Sequence, residues 1–270
     1  MFLSVAKKIL LAAFERNSKL ITADFQKDFM EEKIKHSYQV LGMGNLLLKH
    51  EACFERLSKE DKDYLQAVVL LHDVGRFAEI IKKKSGEWVD HGVCGAQILE
   101  GNDLFNAPDC VLPIRHHGHL IDYLYSDEDY KRLPETMRQR VRLVSFLVRD
   151  ADKLANFYLL AKNFKEIEDV FFAAYCFEEP YSQKISAEVW VDFMAHKSVR
   201  REYICNFADM ALFFVAWVYD LNFKTSFEVL EKLKIMEKLI FWFSKFWAEA
   251  DACLIEQKIN EFIRQKTEEI

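Results

Sequence analysis

Proline and glycine are scarce in this chain, four and eight in 270 residues. No Pro/Gly/Ser-rich linker divides it, and no internal repeat or low-complexity segment is present. Cysteine is thin as well. Cys53, Cys94, Cys110, Cys176, Cys205 and Cys253 form no C-x-x-C pair. That argues against thiolate metal sites and reads as reduced, mostly buried thiols in a cytoplasmic protein. Long apolar runs are missing. Met1 to Phe14 is interrupted by Lys7 and Lys8, unlike a secretory signal. Met210 to Tyr219 is wholly apolar, but it has ten residues where a span needs about 20, so it reads as a buried core helix between Asp209 and Asp220. Positive charge is not in excess. The net charge of −6 argues against a nucleic-acid polymer as partner. The main basic cluster, Lys82-Lys83-Lys84, reads as a solvated helix end, with phosphate steering as the alternative.

What the chain has is apolar mass: 51% hydrophobic residues and 23 Phe, enough for one large core. Helical spacing dominates. Ile34, Tyr38, Leu41 and Leu48 fall on one helical face. Ser58 with Asp61 resembles a capping box opening a helix through Leu65, Val68, Val69 and His72. Ser85-Gly86 reads as a loop, and His91-Gly92 as the start of another helix. Pro108 and Pro113 bracket the start of a short helix bearing His116 and His117. Pro134 suits the first turn of a long helix through Val141, Val144 and Leu147 to Leu154. Thr225 with Glu228 predicts a second capping box before a long aromatic helix carrying Phe227, Leu230, Phe241 and Phe246. No β alternation is convincing, so the expected class is all-α, a single compact helical bundle.

Against this background, imidazole and carboxylate stand at separated places: His36, His72-Asp73, His91, His116-His117 and Asp152. One histidine on an apolar face reads as a satisfied core residue. Several on Leu- and Val-rich helices need a common reason, because buried imidazoles and carboxylates are costly unless paired or metal-bound. A cation supplies it, taking lone pairs from neutral His and ionised Asp. Adjacent His and Asp diverge by about 100° within a helix. At a fraying helix end beside Gly75 both can turn to one centre. A carboxylate can bridge two cations and an imidazole cannot, so bridging falls to Asp73. Two ions ~3.5–4 Å apart clamp a phosphoryl oxygen and activate a water.

The order His36, His72-Asp73, Asp152 resembles the H…HD…D signature of the HD-domain metal-dependent phosphohydrolases. Lys33-Ile34-Lys35-His36-Ser37-Tyr38 is similar to that family's first motif. His72-Asp73-Val74-Gly75-Arg76-Phe77 resembles its HD-x-G-R-F form, and Ala151-Asp152-Lys153-Leu154 its closing element. The resemblance implies an HD-type core over roughly residues 30–155, with 156–270 as a helical extension packed on it in one domain. It implies that His36, His72, Asp73 and Asp152 hold a first metal. His91 and one of His116 and His117 hold a second, with Asp73 as bridge. His117 is favoured because in similar sequences the ligand follows an Ile-Arg-aromatic step, occupied here by Ile114-Arg115-His116. His116 then stands behind the ligands or meets the substrate. Asp150 reads as a capping or solvated carboxylate.

HD-GYP phosphodiesterases share the extra histidines. They carry Lys where this chain has Arg76, and a Gly-Tyr-Pro element absent after His117. Both departures weigh against cyclic dinucleotide hydrolysis. Glu32, four residues before His36, reads as a surface glutamate or a third-metal ligand. Arg76 suits a phosphate oxygen or an ion pair. Lys153 suits a phosphate or solvent. His50, His119 and His196 match no motif and read as structural or surface residues.

The expected activity is hydrolysis of a phosphate mono- or diester, on a nucleotide or small phosphorylated substrate. Asp73, Arg76 and His116 serve catalysis, and Arg76 and Lys153 bind substrate. The cofactor is two divalent ions drawn from Fe, Mn, Mg, Ni or Co. Two alternatives stand beside it. HD-type di-iron oxygenases use a similar ligand set. A non-catalytic ligand-sensing module is suggested by Phe241, Trp242, Phe243, Phe246 and Trp247, which buried core or a homodimer seam explains equally well.

Overall fold

The computed structural model describes residues 1–21, 24–84, 86, 89–173 and 177–268, and within these the backbone alone at 24–26, 84 and 165–173. Ser85 and Cys176 lie outside the described residues, as does the side chain of Lys84. Among the described residues the chain is α-helical with short 3-10 turns and no strand. No described helix is long and apolar enough to cross a membrane. The chain divides into two compact units, Met1–Ala155 and Asn156–Ile270.

The first unit begins with α1 (Phe2–Ser18), α2 (Asp24–His50), α3 (Ala52–Glu55) and α4 (Lys59–Leu70). It continues with α5 (Arg76–Lys84), α6 (His91–Glu100), α7 (Pro108–His116), α8 (Ile121–Ser126) and α9 (Glu128–Lys131). Last comes α10 (Glu135–Ala173), which begins in this unit and has non-helical dihedrals at Asn163. α4 packs on α1 and α2, α5 on α1 and α6, and α6 on α7. Met30, His36, Ser37, Val40, Leu41, Leu47 and Leu48 form the buried side of α2. Tyr38, expected on that side, is exposed. The residues buried around it, His36, Ser37, Val40 and Leu41, set the inward face about half a turn away from it.

The start of α4 follows its sequence signal. The Ser58 hydroxyl accepts the Asp61 N–H at 3.0 Å. The reciprocal contact differs from a full capping box, since the Asp61 carboxylate takes the Ser58 hydroxyl at 2.6 Å. Leu65 and residues 67–70 are buried, and the helix ends just before the His72-Asp73 pair. Tight turns follow, with Val74 N–H donating to Leu71 and Arg76 N–H to Asp73. Residues 71–75 are all buried. Gly75 is required there: a Cβ would collide with the His91 carbonyl and the Gly95 amide. Gly92 meets the same constraint in α6, where a Cβ would collide with the Arg115 carbonyl. These two bare positions let the 71–75 turn, α6 and α7 approach backbone to backbone.

α7 starts with Pro108 in its first turn, and Pro113 sits inside the helix instead of bracketing it. Pro134 directly precedes α10, as its fixed φ allows.

The second unit holds α11 (Ala187–Met194), α12 (Phe207–Val215), α13 (Lys224–Lys232), α14 (Ile235–Phe243) and α15 (Glu249–Glu268). The expected core helix over Met210–Tyr219 is α12 passing into a 3-10 turn at Ala216–Asp220, and most of it is buried. The expected long aromatic helix is instead two helices and a 3-10 turn. Lys234 takes a left-handed conformation, φ 51°, and starts α14. The break lets two apolar stripes face inward, Phe227 with Leu230 and Leu239 with Phe243. The second capping box is also absent. Phe223 precedes α13 without a side-chain cap, and Thr225 lies buried within the helix. Phe243 is buried while Phe241 is 72% exposed, so the aromatics do not form one seam. Of the described cysteines only Cys94 and Cys110 are buried. Cys53, Cys205 and Cys253 are exposed, and none of these five is in a disulfide. Cys253 lies off the buried Ile255–Ile259 stripe of α15.

Candidate metal centre

Four segments of the first unit bring the imidazoles and carboxylates together. His36 comes from α2, His72 and Asp73 from the turn after α4, His91 from the first residue of α6, and His117 from the end of α7. Asp152 joins from α10. His36, His72 and Asp73 offer ligand atoms within 4.8 Å of one another, and so do Asp73, His91 and His117. Either group could hold a metal ion. Asp73 belongs to both. Its Oδ2 lies 4.0 Å from His72 Nε2, while its Oδ1 lies 3.4 Å from His91 Nε2 and 3.5 Å from His117 Nε2.

Hydrogen bonds fix the tautomers. His72 Nδ1 donates to the Val69 carbonyl at 3.0 Å, and His117 Nδ1 to the Ile114 carbonyl at 2.8 Å. A carbonyl only accepts, so each ring's proton is on Nδ1 when neutral and Nε2 presents a lone pair. His72 Nε2 and Asp73 Oδ1 are buried and find no hydrogen-bond partner. His91 Nε2 and His117 Nε2 face each other at 3.1 Å. Imidazole lone pairs gathered on a buried carboxylate are what a cation site needs, and the residues present fit a divalent metal. Asp152 Oδ1 accepts from His36 Nε2 at 2.9 Å and lies 3.7 Å from His72 Nε2.

The electrostatics agree. Burial pushes His72 down to about 4 despite Asp73 and Asp152, so it is neutral at pH 7 with a lone pair to offer. Burial and the neighbouring His117 lower His91 as well. Burial is the largest influence on the Asp73 carboxyl and would raise it, but Arg76, His117, His72 and Lys33 together outweigh burial and hold the group well below the usual carboxylate range. Asp152 is likewise depressed, with the His36 hydrogen bond and the His72 charge overcoming burial.

The remaining sequence candidates separate. His116 points its Nε2 at Asp127 Oδ2, 2.7 Å away, and its buried Nδ1 has no hydrogen-bond partner. Arg76 makes ion pairs, with Nη1 at 2.6 Å from Glu79 Oε2 and Nε at 3.4 Å from Asp73 Oδ1. Its Nη2 lies 2.7 Å from His91 Nε2. Glu32 is exposed and paired with Lys35 at 2.6 Å, the surface reading. Two solvated readings are corrected. Lys153 is buried beside Asp152, and Asp150 is fully buried, because α10 turns this stretch inward. Lys83 is exposed and pairs with Glu79 at 2.9 Å. His119 pairs with Asp90, the residue that caps α6 through the Val93 N–H. His50 is exposed, and His196 stacks on Tyr219.

Three contributors carried no role in the sequence reading. Glu79 anchors Arg76, and its i+3 spacing is the signal. Lys33 Nζ lies 4.0 Å from Asp73 Oδ2. Arg149 Nη1 donates to the carbonyls of His116, His117 and His119, holding the segment after α7 in place. Its spacing, one helical turn before Asp152, is the cue the sequence offers.

Residues 34–156 match the family described as the HD domain. Over that stretch the chain is similar to the HD domain. The matched residues run from α2 to α10 and contain His36, His72, Asp73, His91, His117 and Asp152. HD domains define a superfamily of metal-dependent phosphohydrolases. No curated protein and no solved structure matches the chain.

Proposed function

We propose that the protein is a two-metal phosphohydrolase acting on a phosphate mono- or diester, a nucleotide or a small ester. The observation that carries this is the gathering of three imidazole nitrogens, His72, His91 and His117 Nε2, around Asp73, with His72 Nε2 and Asp73 Oδ1 buried and without a hydrogen-bond partner. In this reading His36, His72, Asp73 and Asp152 hold one ion. Asp73, His91 and His117 hold the other, and the two oxygens of Asp73 serve one group each. Such a pair supplies Lewis acidity toward a phosphoryl oxygen and lowers the pKa of water toward neutrality.

The chain's own groups do the rest. Buried, neutral imidazoles keep their lone pairs inward at pH 7. Arg76, anchored by Glu79, offers N–H donors to a phosphate oxygen. Lys153 is the second cation assigned to the substrate, and Lys33 adds positive charge beside Asp73. His116, oriented by Asp127, is the remaining group assigned to the substrate through its free-standing Nδ1. A cytoplasmic location completes the proposal, from five described cysteines that form no disulfide.

The test pairs elemental analysis of freshly purified full-length protein with a panel of phosphate esters, for wild type and Asp73→Asn. Wild type should carry divalent metal and turn over at least one ester. Asp73→Asn should lose metal and at least ~10²–10³-fold of the rate. Turnover with full metal content in the variant refutes the assignment. A mixed-valent iron signal under air with reductant, without ester hydrolysis, moves the protein to the di-iron oxygenases.

A further inference from the structure

Arg76 occupies an unusual position for a residue expected to wait for substrate. Its Nη2 lies 2.7 Å from His91 Nε2, its Nη1 is tied to Glu79, and its Nε stands 3.4 Å from Asp73 Oδ1. A guanidinium has donors only. His91 Nε2 must therefore present its lone pair to Arg76. That nitrogen is also one of the three ligand atoms of the Asp73, His91 and His117 group. An imidazole nitrogen has one lone pair, so it serves the guanidinium or a metal, never both.

We infer that Arg76 and the second divalent ion compete for His91, so that the two ion positions fill unequally and an anion decides the second. This rests on the metal-centre reading and adds a rule of occupancy to it. The His36, His72 and Asp73 group has no arginine on its nitrogens among the described contacts, and it fills first. At the other group Arg76 already provides positive charge to Asp73 Oδ1 and a donor to His91. A second cation there meets both a blocked ligand and like-charge repulsion. A phosphate oxygen offers the Arg76 N–H groups another acceptor and frees the His91 lone pair. Ion and phosphate then raise each other's affinity by the same factor, as linkage requires. The chemical class of the regulator is thus an oxyanion of phosphate, bound as substrate or product.

The experiment is calorimetric titration of chelator-stripped full-length protein with Mn²⁺, with and without inorganic phosphate, for wild type and Arg76→Gln. Wild type without phosphate should bind one ion tightly and a second at least tenfold more weakly. Phosphate should strengthen the second step at least tenfold. Arg76→Gln should bind both ions tightly without phosphate and lose the phosphate effect. Equal second-step affinity in the two proteins overturns the inference, as does wild type filling both positions equally without phosphate. If the variant loses its tight first ion too, its fold is damaged, and the phosphate arm on wild type decides alone: no phosphate effect overturns the idea. If neither protein binds an ion, the metal-centre reading falls first, and this falls with it.

Discussion

Two buried aspartates, one in each unit, carry opposite lessons. Asp209, at the start of α12, is fully buried. Its Oδ1 accepts the Ser186 N–H at 2.7 Å, and its Oδ2 accepts the Ser186 hydroxyl at 2.7 Å and the Cys205 N–H at 3.0 Å. Both oxygens are served by donors, and the carboxylate ties the start of α11 to the segment before α12. Asp73 is as deeply buried, yet its Oδ1 has no hydrogen-bond donor and faces two imidazole nitrogens. Burial is the same; the company differs. A carboxylate ringed by N–H and O–H groups holds a fold together. One ringed by lone pairs and a guanidinium is arranged for a cation.

The comparison breaks most sharply by mutation. Asp209→Ala should cost about 3–5 kcal/mol, since charge-assisted hydrogen bonds are lost and buried donors are stranded. Denaturant unfolding measures it. The metal content of the folded fraction should not change. Asp73→Asn should do the reverse, sparing most of the metal-free stability and removing the metal-dependent part. At an ion concentration of 100 Kd that part is about 2.7 kcal/mol. If both variants lose metal equally, or if Asp209→Ala unfolds no more easily than wild type, the contrast is wrong.

Acid titration comes next. Burial lowers His72 from its ordinary 6.5 to about 4. As pH falls below 6.5 the unfolded chain takes up this proton and the folded protein does not, so protonation favours unfolding. The stability is complete above pH 6.5 and declines as pH falls toward about 4, by on the order of 3 kcal/mol for this one group. The depressed carboxyls of Asp73 and Asp152 add a further loss below about pH 3.8. Chelator-stripped wild type should show this slope in urea unfolding between pH 6.5 and 4, and His72→Asn should flatten it. An unchanged slope in the variant would mean that His72 is accessible to protons in the folded state.

Much of the centre was legible because its chemistry is local in sequence. An adjacent His-Asp pair beside a glycine, at the end of an apolar helix, announces itself, and the closing Asp152 sits in a recognisable string. The preference for His117 over His116 comes from the resemblance, through the Ile114-Arg115-His116 step, and the structure puts His117 beside Asp73 and His116 on Asp127. What could not be read was tertiary. Tyr38 had the right spacing and the wrong side of α2. Residue type leaves Lys153 to a phosphate or solvent and Asp150 to a cap or solvent, and α10 buries both. The left-handed turn at Lys234 lacks the glycine that usually marks one, so the aromatic stretch read as continuous. The contact between Arg76 and His91 joins two helices across 15 positions, with no local signal.

The smallest effect belongs to Glu32, and it sharpens the contrast between partnered and unpartnered carboxylates at the surface. Glu32 lies four residues before His36, the spacing at which a further metal ligand could reach the centre. The structure gives its carboxylate to Lys35, both side chains being largely exposed. An exposed ion pair of this kind contributes little, because solvent and salt screen it. Glu32→Ala should therefore leave unfolding within about 0.5 kcal/mol of wild type, with the number of bound ions per chain unchanged by elemental analysis. Loss of one ion equivalent would show that Glu32 leaves Lys35 and turns inward when metal is present. The rule drawn from Asp73 and Asp209, that a carboxylate already served by a donor is not a ligand, would then hold only for buried groups.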